Sequence, residues 1–65
     1  MRKFNEHEKR ALEYLDQGDV SNAVMSIVSE LQKIGQNIPD DLMNRAMSSP
    51  QNARQFIIGF GKQLK

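Results

Sequence analysis

The chain has 65 residues, of which 38% are hydrophobic and 26% charged, with a net charge of +1 and no cysteine. That length allows one domain, 1–65, and the apolar content is that of a folded chain, not a disordered tail. Without thiols there are no disulfides, thiolate metal sites or cysteine nucleophiles; and since no apolar run exceeds three residues, where a bilayer span needs roughly 20, no membrane-spanning helix is expected.

The first predicted helix covers about 5–17. Asn5 is a good N-cap, Glu8 three residues on makes a capping-box pattern, and Glu6 and Glu8 suit the positive end of the helix dipole. Ala11, Leu12 and Leu15 form its apolar stripe, with Phe4 before the cap, Tyr14 at the stripe's edge, and Gly18 able to end it in the left-handed conformation.

The second helix, about 19–34, carries the clearest pattern. Asp19 caps it, and Val20, Ala23, Val24, Ile27, Val28, Leu31 and Ile34 recur at steps of three and four. That spacing marks one face of a helix, although the β-branched content alone would also suit a strand. Gly35 closes it. The third helix, about 39–47, places Pro39 at its first position and Asp40 and Asp41 in its first turn, with Leu42, Met43, Ala46 and Met47 inward.

The fourth helix, about 50–60, opens with Ser49 as N-cap and Pro50 as first residue. Its stripe is Ala53, Phe56, Ile57 and Phe60, with Leu64 as an extension. Gly59 and Gly61 each cost about 1 kcal/mol against Ala in a helix, so fraying is expected after Phe60. No segment alternates with period two. The fold class is therefore all-α, a compact bundle of four short helices joined by connections of a few residues. Val24, Ile27, Leu31, Phe56, Ile57 and Phe60 are expected to be largely buried.

Charge is laid out unevenly. Residues 11–44 carry Glu13, Asp16, Asp19, Glu30, Asp40 and Asp41 against Lys33, whereas residues 45–65 carry Arg45, Arg54, Lys62 and Lys65 and no acid. An acidic middle between basic ends is complementary within one fold or between two copies, and the basic C-terminal third is suited to an anion. Arg2 and Lys3 lead into polar residues, not an apolar stretch, which together with the missing cysteine points to a cytoplasmic protein. A chain this short buries only about 60% of its unfolded surface, a margin that oligomers commonly extend.

No residue set names a reaction. His7 is the sole histidine, and its neighbours Glu6 and Glu8 do not share its helix face, so it is read as a solvated first-turn residue and not a metal ligand. Asp40 and Asp41 are ordinary dipole partners. The Gly59-Phe60-Gly61 sequence lacks the preceding strand and following helix of a phosphate-binding loop. No enzyme activity, cofactor or metal is expected.

Two contact readings remain. Met25 and Ile58 fall off the stripes of their helices, and with Tyr14 they are the candidate protein interface, for a second copy or for another protein. Alternatively, the third and fourth helices form a DNA-binding helix-turn-helix, with Gln51, Asn52 and Arg54 at base edges and Lys62 and Lys65 on the backbone.

Two resemblances accompany these readings. Residues 11–23, with Gly18-Asp19 at the turn and Ala23 four residues beyond Asp19, resemble the centre of a tetratricopeptide repeat. The pattern does not recur at the repeat's period of about 34 residues, which leaves a tight helical hairpin. The ending Ser49-Pro50…Arg54-x-Phe56-Ile57-x-Gly59-Phe60, with Ile38-Pro39-x-x-Leu42-Met43 before it, is similar to the C-termini of small all-helical bacteriophage and prophage proteins. That resemblance implies a viral or prophage source, a host or viral protein as partner, and a binding role.

Overall fold

Capping chemistry sets the helix boundaries. A computed structural model describes residues 4–64, and Arg2, Lys3 and Lys65 lie outside them. The helices are α1 (Glu6–Asp16), α2 (Val20–Lys33), α3 (Asp40–Met47) and α4 (Pro50–Gly61), with no strand among the described residues. Asn5, Asp19 and Ser49 cap α1, α2 and α4 by accepting the backbone N–H three residues on, at 2.9, 3.3 and 3.1 Å. Each satisfies a donor that the helix itself cannot. Gly18 (φ 81°) and Gly35 (φ 85°) end α1 and α2 in the left-handed region. There the Asp19 and Gln36 N–H groups donate back to Tyr14 and Leu31, both at 2.9 Å.

Two boundaries differ from expectation. Pro39 is the N-cap of α3, not its first residue: its ψ of 147° is extended, and its carbonyl accepts the Met43 N–H at 3.0 Å. Ile34 is the C-cap of α2, and it is 58% exposed although its spacing puts it on the buried stripe. The chain turns away at Gly35, and the buried apolar residue of this connection is Ile38.

The core is built around α2 and α4, each of which contacts all three other helices, while α1 and α3 do not touch. Val24, Ile27, Val28 and Leu31 of α2 and Phe56 and Ile57 of α4 are buried in its centre. Phe60, expected there too, is only half-buried. The chain's four alanines, Ala11, Ala23, Ala46 and Ala53, lie one on each helix and are all buried. A methyl side chain lets helix axes approach closely, and the radius of gyration of 10.6 Å agrees with the value of about 11 Å for a compact chain of this length.

The end of α4 does not fray where its glycines suggested. It continues through Gly61, which is buried, and Leu64 beyond it is buried as well. Gly61 lies against Glu8 of α1: a Cβ built on it would stand 2.5 Å from Glu8 Cγ. Glu8 is itself fully buried and accepts the Asn5 N–H at 3.2 Å, completing the capping box. The Asn5 side-chain amide donates to the Gly61 carbonyl at 2.9 Å and also to the Leu64 carbonyl. One side chain therefore starts α1 with its oxygen and finishes α4 with its nitrogen.

Two stability experiments follow from this junction. Gly61→Ala should lower stability by about 1–3 kcal/mol, the cost of overpacking. Gly59→Ala, where nothing lies within 4 Å of an added Cβ, should raise it by up to about 1 kcal/mol through helix propensity. Urea unfolding followed by circular dichroism measures both, and a gain in stability from Gly61→Ala would contradict the packing of Gly61. Asn5→Asp keeps a good cap oxygen for α1 but turns a carboxylate toward two carbonyls. It should cost about 1–3 kcal/mol, the range for an unpaired buried group; unchanged stability would show that the Asn5 nitrogen contributes nothing.

Candidate functional site

A groove of about 190 Å³ opens between α3 and α4. It lies between two side-chain ridges at four-residue steps: Leu42 and Ala46 on α3, and Asn52, Phe56 and Phe60 on α4. Phe56 is 5% exposed and Phe60 half-buried, with ring centroids 4.8 Å apart and planes tilted by 38°. Arg45 and Gln55, both exposed, complete the lining. The groove exists because α3 has 8 residues against 12 in α4, and because α3 sets the small Ala46 opposite the rings. Short α3 leaves the last aromatic of α4 partly uncovered.

The α3–α4 turn is tied tightly. Asn52 Nδ2 donates to Ser48 Oγ at 3.0 Å and to the Arg45 carbonyl at 3.3 Å, and the Ser48 hydroxyl donates to that carbonyl at 2.7 Å. With Ser49 capping α4, side chains of the turn itself link the end of α3 to the start of α4. Asn52, expected to reach a base edge, uses its amide nitrogen within the turn. Gln51, Arg54 and Lys62 are exposed, and Lys65 lies outside the described residues.

A second groove of about 210 Å³, between α1 and α2, is polar. His7, Arg10, Tyr14, Ser26, Ser29 and Glu30 line it. His7 Nδ1 stands 4.0 Å from Glu30 Oε2, and Lys33 holds the other Glu30 oxygen at 3.1 Å. The Ser26 hydroxyl donates to the Ala23 carbonyl at 2.9 Å. Charges of both signs meet here, and the described residues hold no group of His, Asp and Glu with metal-site geometry. No helix among them is long and apolar enough to cross a membrane.

The residues expected at a protein interface do not line one groove. Met25 is 41% exposed; Ile58 is half-buried; Tyr14 is half-buried and packs against the core. Tyr14 lines the polar groove, whereas Met25 and Ile58 line neither groove. Exposed Ile34 was not foreseen. It lies nine residues from Met25, about half a turn around the helix, so the two do not merge into one patch. The sequence does not foretell the α3–α4 groove either, because the spacing of Phe60 and Leu42 places them on core stripes. Its one legible signal is the shared four-residue spacing of Leu42 with Ala46 and of Phe56 with Phe60.

No family model matches the chain, and no curated protein and no solved structure matches it significantly.

The turn geometry yields a stability prediction. Asn52→Ala removes two hydrogen bonds at a partly open site and should cost about 0.5–1.5 kcal/mol. Asn52→Asp should not restore it, since a carboxylate cannot donate to the Arg45 carbonyl. Thermal melts of both variants measure this, and full recovery by Asp would show that the amide nitrogen is not the working group.

Proposed function

We propose that this protein is a non-catalytic interaction module that self-associates or binds another protein through apolar side chains left open at its surface. The observation that carries this reading is the α3–α4 groove, where Phe60 and Leu42 stay half-covered. Met25 and Ile34 extend the same reading to α2. In a chain of 65 residues, covering such side chains with a second protein body adds apolar burial to a small core. The likeness of the C-terminal segment to phage and prophage proteins supports a host or viral protein as the partner.

Binding to DNA through α4 is the second reading, favoured by exposed Gln51 and Arg54 in its first turns with Lys62 at its end. Asn52 speaks against it, since the turn already uses its amide.

Sedimentation equilibrium and a DNA titration separate the two. The protein should sediment as a dimer or larger at micromolar concentration, and Met25→Lys should shift it toward monomer without unfolding it. Ile58→Lys should act in the same direction. Duplex DNA at about 0.15 M salt should bind no more tightly than the non-specific range of roughly 10⁻⁴–10⁻⁶ M. A monomer that binds DNA tightly and sequence-selectively, with a steep salt dependence and loss on Arg54→Ala, would overturn the contact reading.

A further inference from the structure

We draw no further inference here: the strongest candidate, the open apolar groove between α3 and α4 with Arg45 as its single charged lining residue, belongs to the site already described, and nothing in the structure shows what covers it.

Discussion

Asn5 is the residue on which the arrangement of the bundle turns. A side-chain amide has an acceptor at one atom and donors at the other, and here the two serve helix ends of opposite polarity. The oxygen meets the N-terminus of α1, where backbone donors are unpaired, and the nitrogen meets carbonyls at the end of α4. The positive end of one helix dipole thus lies beside the negative end of another, which is favourable in its own right. Each such hydrogen bond contributes about 1 kcal/mol net, against a total of roughly 5 kcal/mol at the low end for small domains. The junction is therefore a large share of what holds α4 onto α1. Gly61 is its steric condition, since any larger residue meets buried Glu8.

The rest of the packing follows from how few large side chains the chain has. α2 and α4 supply most of the buried branched and aromatic bulk, and buried alanines on all four helices bring the axes near enough for that bulk to fill the interior. α3 is the exception. At eight residues it covers only part of α4, and the uncovered part is the ring-lined groove. The groove is thus a product of helix length, beside a turn linked by the Asn52 and Ser48 hydrogen bonds.

What was legible in the sequence is what acts within about four residues. The caps at Asn5, Asp19 and Ser49, the glycine stops at 18 and 35, and the stripe of α2 through Leu31 are local, because a cap or a helix face involves near neighbours only. Pro39 slipped by one position because a proline suits either side of a helix start. Ile34 keeps the right phase but lies where the helix ends, and phase says nothing about how far neighbouring helices reach. The Asn5–Gly61 pairing spans 56 residues and left only a faint trace, a glycine inside a helix. By propensity alone such a glycine signals weakness, yet here it marks close approach. The site was less legible than the fold. Outward residues can be picked from a helical wheel, but whether they share a surface depends on the crossing of helices, and Tyr14, Met25 and Ile58 do not share a groove.

The separation of Asn5 from its α4 partners also bears on when the protein can fold during its synthesis. A chain emerging from the ribosome can form α1, the Gly18 turn and α2 early, since their hydrogen bonds are local. Until residues 61 and 64 are outside the exit tunnel, the amide of Asn5 faces water and the stem of Glu8 has no glycine to lie against. These contacts join the two extremes of the described chain and need both to be present. Val24, Ile27, Val28 and Leu31 belong to the same buried core as Phe56 and Ile57, so that core too is completed only by the C-terminal helix.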